Sequence, residues 1–302
     1  RFFIQRLKDK SGNKSNASSE IEYSGTLAIR VGAEGAGLRE ILSHSHLTRL
    51  DFAVGSAGLM RQSLSLALNH CSTRTAFGGP LARQPMMANV LADMAVEVEA
   101  ATLLALRVAK ATDYIGRDAQ QTAFARVATP MAKFFNCSRA PAVANEALQC
   151  HGGNGFIEEN PMARIYREAP LNSVWEGAAN MMCMDVRRAM RKDPACRDAL
   201  LEEIHSVRGQ HKLFDAFAAH LAPLVDGMLA DEFLARPASE ALARAIQGVE
   251  LLRHSPPEVV DAFMTARLGG APGSWGAMFG SLGASVSQAQ AHTIVDRAQV
   301  VR

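Results

Sequence analysis

Apolar residues recur along most of this chain at helical spacing. Between about Met86 and Tyr114, the residues Met87, Val90, Met94, Val98, Ala101, Ala105 and Val108 fall on one face, and Asn89, Asp93 and Arg107 fall opposite. The pattern predicts an amphipathic helix with its polar side in water. A comparable stretch predicts a helix over roughly 37–71. A third helix is predicted over 119–150, with Pro130 and Pro141 expected to kink it. One more should start near Glu176. Long helices joined by short connections imply a bundle of antiparallel helices.

The first 33 residues differ. Short β-compatible runs at Ile4–Leu7, Ser19–Tyr23 and Ala28–Val31 are separated by Ser11-Gly12-Asn13 and Ser24-Gly25, which predicts three strands and their turns. Three short strands cannot form a core alone, so they are expected to belong to a larger sheet. The chain opens at Arg1 inside such a strand and reads as a piece of a longer protein. After Lys192-Asp193-Pro194 the helical segments shorten, with breaks expected at Pro223, Pro237, Pro256-Pro257 and Gly269-Gly270. A subdomain boundary is placed there.

Composition narrows the class. Of 302 residues, 48% are hydrophobic and 21% charged, with a formal net charge of +2, as in ordinary globular proteins. No uninterrupted apolar run approaches the roughly 20 residues that span a bilayer. No signal peptide is seen at the start. Five cysteines stand singly, with no CxxC pair, which argues against a disulfide framework or zinc site and for a reducing compartment. His44 and His46 lie two apart on a predicted helix and point in different directions, a poor metal site.

Three constellations carry candidate chemistry. Gln149-x-x-Gly152-Gly153-x-Gly155 follows a helix end, where glycines either let a ligand approach the backbone or simply form a C-cap turn. In Arg74-x-x-Phe77-Gly78, followed by Gln84, the arginine can hold a phosphate, the phenylalanine can stack on a ring and the glutamine can pair with polar ring edges. Equally, the segment is a helix connection with a buried Phe and a solvated Arg. In Asn172–Asn180, Ser173 and Glu176 have capping-box spacing, a structural role. Alternatively Glu176 is a carboxylate beside Trp175 and small residues, where desolvation would make it a useful base.

Taken together, in order and spacing, the motifs resemble the acyl-CoA dehydrogenase family. Tyr166-Arg167-Glu168 followed by Trp175-Glu176-Gly177 strengthens the match, and the segment Leu7–Ser18 with Thr48-Arg49 resembles its AidB-type branch, flavoproteins associated with bacterial alkylation damage. The resemblance implies a mainly α fold. Residues 1–35 would be the end of a central β-domain, 36–191 a C-terminal four-helix bundle and 192–302 an AidB-like helical extension.

By resemblance, Glu176 is the base that removes the α-proton of an acyl-CoA thioester while FAD accepts the β-hydride, and its backbone N–H helps hold the thioester oxygen. Arg74, Phe77 and Gln84 would contact FAD, often that of a neighbouring subunit. Gln149, Gly152 and Gly153 would lie beside its pyrophosphate, and Trp175, Gly177, Ala178 and Asn180 would line its site. Many relatives carry Thr at the position of Ala178 and Gln at that of Asn180. The resemblance also implies a homotetramer and a bacterial cytoplasmic setting. AidB-type proteins are associated with double-stranded DNA as well. Residues 192–302, however, hold ten Lys/Arg against thirteen Asp/Glu, which disfavours phosphate binding by this tail.

Overall fold

The computed structural model describes residues 1–269, 278–282 and 286–299. Two antiparallel strands, β1 (Phe2–Leu7) and β2 (Ser19–Tyr23), open the chain, with Phe2 opposite Tyr23 and Leu7 opposite Ser19. The third expected strand is absent, because Ala28–Val31 is irregular and Leu27, Ile29 and Val31 are exposed. Strand propensity needs a neighbouring strand to act on, and among the described residues none lies beside this run. The hairpin loop is tied to the helical part. The Asn13 N–H donates to the Glu168 carboxylate at 2.8 Å, and a Cβ on Gly12 would come within 2.3 Å of the Arg167 carbonyl oxygen.

Four helices build the bundle: α1 (Gly37–Thr73), α2 (Pro85–Asp113), α3 (Ala119–Cys150) and α5 (Ala179–Lys192). Pro85 opens α2, where its missing N–H costs nothing, and the Asp118 carboxylate caps α3 by accepting from the Gln121 N–H at 2.9 Å. The last of these, α3, runs unbroken through Pro130 and Pro141. A short helix, α4 (Pro161–Glu168), stands between α3 and α5 and is started by the Asn160 side chain. Helices α1 and α3 lie parallel. Ser56 meets Cys137 near their middles, and the Cys71 thiol reaches the Cys150 carbonyl where both helices end. A buried Asn136 cross-links the layers by donating to the carbonyls of Ala53 and Ala101.

The polar face expected on α2 is not in water. Asp93 and Arg107 are both buried, because the tail packs over that side of the helix. The tail consists of α6 (Pro194–His205), α7 (Lys212–Ala218), α8 (Leu221–Ala230), α9 (Ala235–His254), α10 (Pro257–Phe263) and α11 (Gln288–Ala298), with a π-helical turn at Met264–Leu268. The charges buried there need partners from the tail. Arg107 finds Glu203 of α6 at 2.8 Å and lies over the ring of Phe124. The apolar core is continuous from α1 to α11.

Tail prolines start helices more often than they break them. Pro257 opens α10, and Pro223 and Pro237 sit in the first turns of α8 and α9. Gly270 lies outside the described residues. At Lys192–Pro194 the chain passes from α5 to α6, with the Asp193 carboxylate accepting from the Ala195 N–H at 3.0 Å to cap α6.

Candidate active site

Two of the three constellations meet where α1 and α3 end side by side. Beyond α1, β3 (Thr75–Ala76) and β4 (Gly79–Pro80) form a minimal hairpin whose turn residues Phe77 and Gly78 have φ of +54° and +88°. The Phe77 ring is 89% exposed, so it does not pack into the core. Gln84 donates its side-chain amide to the carbonyls of Ala76 (3.3 Å) and Phe77 (3.4 Å), which holds the hairpin closed. Arg74, at the C-cap of α1, is exposed beside it.

Beyond α3, the glycines divide into two kinds. A Cβ on Gly155 would meet the Leu148 carbonyl oxygen at 2.4 Å, so that glycine is required for packing. Gly152 and Gly153 are exposed with open space where a Cβ would sit, and Gly152 has φ of +60°. Gln149 is exposed on the last turn of α3. Between the two loops, His151 bonds through Nδ1 to the Ala147 carbonyl at 2.7 Å, and its ring stacks on His70 at 4.7 Å between centroids. Burial, together with His151 and Arg74, pushes the pKa of His70 down.

The third constellation lies apart from these. Counting from Lys133, which contacts it, to His151 gives 18 residues of α3, about 27 Å at roughly 1.5 Å per residue. Here the expected helix start is corrected. Helix α5 begins at Ala179, and Ala178 at its N-cap provides no side-chain bond. The Ser173 hydroxyl donates instead to the Pro170 carbonyl at 2.7 Å, so the Ser173–Glu176 capping box does not form. Glu176 sits in a turn before the helix, exposed and with φ of +56°. The enclosing apolar surface expected around its carboxylate is not supplied by this chain.

That turn is nevertheless firmly held. Lys133 of α3, itself buried, donates to the carbonyl of Trp175 at 2.8 Å and to that of Gly177. Arg49 of α1 donates from Nε to the Glu176 carbonyl at 3.1 Å. Three consecutive carbonyls are thus bound by cations from two helices. Arg49 in turn pairs with Asp185 of α5 at 3.0 Å, which Arg126 also engages at 2.8 Å. Trp175 stacks on Phe52 of α1 at 4.7 Å and donates to Asn172, whose amide donates to Ser56. Gly177 has φ of +107°, and a Cβ there would meet the Met182 methyl at 2.6 Å. Asn180 accepts from Arg236 of α9 at 2.8 Å.

Lys133, Ser56 and Asp185 are not marked out by the sequence motifs, and Asn172 stands in the third constellation without a role assigned to it. Lys133 did carry a signal, as a lone cation inside the apolar run Met131–Phe135. Burial makes its charged form costly, and its pKa is pushed down. Burial, with Arg126 and Arg49 nearby and Asp185 opposing them, pushes His46 down to about 4. Among the described residues no cluster of His, Cys, Asp or Glu is arranged to hold a metal.

Known proteins match this chain in sequence and in fold. The family pattern described as "Acyl-CoA dehydrogenase, C-terminal domain" covers residues 35–191. The chain is 39% identical over 273 residues to the putative acyl-CoA dehydrogenase AidB of Escherichia coli, covering 88% of this chain and 48% of that protein. The Caenorhabditis elegans ACDH-11 structure, solved in complex with C11-CoA, shares the fold with a TM-score of 0.78 at 22% identity, over 100% of this chain and 51% of that one. A Bacillus anthracis acyl-CoA dehydrogenase complexed with FAD shares it at 0.71 and 15% identity, over 98% of this chain and 56% of that one. The chain thus spans about half the length of these relatives. By the match over 35–191, with its glycine loop and its Trp175-Glu176-Gly177 turn, the chain belongs to the acyl-CoA dehydrogenase family.

Proposed function

We propose that this chain carries the base and two partial cofactor surfaces of an FAD-dependent acyl-CoA dehydrogenase-type flavoprotein, which desaturates an acyl thioester between Cα and Cβ. The observation that carries the reading is Glu176. Its carboxylate is exposed on a left-handed turn whose carbonyls are bound inward by Lys133 and Arg49, immediately before a helix start without a side-chain cap. Such a turn offers a carboxylate to abstract the α-proton, and beside it the Glu176 N–H is placed to donate to the thioester oxygen as charge develops there.

FAD, when bound, supplies the acceptor for the β-hydride. The residues present fit parts of such a cofactor. Gly152 and Gly153 leave open space for a phosphate to approach the backbone, with exposed Arg74 and Phe77 on the neighbouring loop. At the other set, Gly177 and the first turn of α5 present backbone N–H groups, but Ala178 has no hydroxyl to add and Asn180 is engaged by Arg236. The two sets are about 27 Å apart along α3, which supports a reading in which each serves the FAD of a different copy of the protein, in a homo-oligomer such as a tetramer. ACDH-11 bound C11-CoA and the Bacillus anthracis protein bound FAD, which favours an acyl-CoA substrate and FAD here.

No observation favours DNA binding over this reading. In the cationic cluster Arg187, Arg188, Arg191 and Lys192, Arg187 is spent on the carbonyls of Met228 and Leu229 at 2.7 and 3.0 Å. The test uses full-length protein carrying this segment. Its oxidised flavin absorbance is followed anaerobically on adding straight and branched acyl-CoAs, with Glu176→Gln as control. Bleaching that depends on Glu176 supports the dehydrogenase reading. A flavin that stays oxidised throughout the panel refutes it and moves the weight to an AidB-type, DNA-associated role, for which salt-sensitive retention on duplex DNA is the assay.

A further inference from the structure

We infer that Lys133 is a positioning residue for Glu176, acting together with Arg49 through the backbone of the turn; the catalytic part of this inference rests on the dehydrogenase reading above. Lys133 is 1% exposed, yet among the described residues no carboxylate is hydrogen-bonded to its ammonium. It is spent on the carbonyls on either side of Glu176, those of Trp175 and Gly177, while Arg49 takes the carbonyl of Glu176 itself. A buried, desolvated ammonium is a costly way to bind two peptide carbonyls, and most buried carbonyls are satisfied by neutral donors. What the arrangement gains is direction. With three successive C=O groups drawn toward α1 and α3, Glu176 is held in its left-handed conformation, at φ of +56°, with its side chain on the exposed side. An unassisted non-glycine residue leaves that region readily, since it is strained there.

The remaining contacts fix the ends of the turn rather than its middle. Trp175 is anchored by Phe52 and Asn172 on one side, and α5 is anchored through the Arg126–Asp185 pair on the other. Between these anchors, the carbonyls of residues 175–177 accept hydrogen bonds from Lys133 and Arg49. Loss of the Lys133 ammonium should therefore leave the anchors in place and free the carboxylate to shift. A displacement near 1 Å is enough to cost on the order of 10²-fold in rate.

The test compares full-length wild type with Lys133→Met, Lys133→Arg and Arg49→Lys by crystal structure, by acyl-CoA affinity and by the rate of flavin reduction in a single turnover. In Lys133→Met, Glu176 is expected to leave the left-handed region while Trp175 stays on Phe52. Flavin reduction should slow by about 10²-fold with acyl-CoA affinity essentially unchanged, and Lys133→Arg should recover part of the rate. A purely structural lysine would lower the melting temperature without this separation of rate from affinity. If Lys133→Met does not fold, Arg49→Lys carries the same comparison at the Glu176 carbonyl. A turn that keeps its conformation in the folded variants overturns the inference. If no acyl-CoA reduces the wild-type flavin, the dehydrogenase reading has failed, and the crystal structures still decide whether Lys133 sets the turn.

Discussion

Arg267 and Glu97 meet across the junction between tail and bundle, Nε to Oε2 at 3.0 Å, with each side chain only 3% exposed. Arg267 also donates to Asp93, whose other oxygen accepts the N–H groups of Gly280 (2.9 Å) and Ser281 (3.0 Å). Glu97 is bonded in addition by Arg139 of α3 at 2.8 Å. Burial opposes ionisation of Glu97, but Arg139 and Arg267 outweigh it and hold the carboxyl well below the usual range. Replacing Arg267 by Met would leave two buried carboxylates short of their partner, which costs about 3–5 kcal/mol. Denaturant unfolding of the variant is expected to show that loss. The double change Arg267→Met, Asp93→Asn should recover much of it, because Glu97 keeps its pair with Arg139 and the second buried carboxylate is gone.

A second prediction concerns acid. His46 titrates at about 4 in the folded chain, held down by burial and by Arg126 and Arg49, against an ordinary value near 6.5. Between those two values the unfolded chain binds the proton that the folded chain excludes, so stability falls as pH drops from about 6.5 toward about 4. The contribution at neutral pH is of the order of 1–3 kcal/mol. His46→Gln should flatten that limb of the stability–pH curve measured by chemical denaturation. An unchanged slope between pH 6.5 and 4 would show that His46 is not its source.

How legible was this in the sequence? The long helices were, because their apolar residues repeat at 3.6 and their starts carry local signals such as Pro85 and Asp118. Local pattern failed where a distant segment changed the solvent. Asp93 and Arg107 read as a wet face, but partners far along the chain, Arg267 and Glu203, bury them. The same limit hid the Glu176 clamp. The motif around Glu176 is contiguous, whereas Lys133 and Arg49 reach it from 43 and 127 positions away. Ser173-x-x-Glu176 misled in the opposite sense, since spacing suited to a cap does not make one when Gly177 turns the chain before the helix begins.

Glu176 itself offers a direct check on the chemistry. Glu176→Gln keeps the size of the side chain and all three carbonyl contacts of the turn, which involve only main-chain oxygens. Stability should therefore change by no more than about 0.5 kcal/mol, as for other exposed positions. Flavin reduction by acyl-CoA should fall by 10²–10⁴-fold, on the order expected for a lost general base. A variant that reduces its flavin at the wild-type rate would remove Glu176 from the role of base.

The glycines after α3 separate packing from binding. In Gly155→Ala the new methyl would press on the Leu148 carbonyl oxygen, at 2.4 Å, and on the His151 Cβ, at 3.1 Å. Backbone must move to relieve that contact, so a loss of about 1–3 kcal/mol is expected in denaturant unfolding. Gly153→Ala meets nothing within 4 Å and should leave stability almost unchanged. If the open face of Gly153 is where a cofactor phosphate approaches the main chain, the same methyl obstructs it. Full-length Gly153→Ala should then release flavin more readily on dialysis, with its unfolding midpoint kept. Full flavin retention by Gly153→Ala would assign the open glycines to loop geometry alone, and equal destabilisation by both substitutions would contradict the division between them.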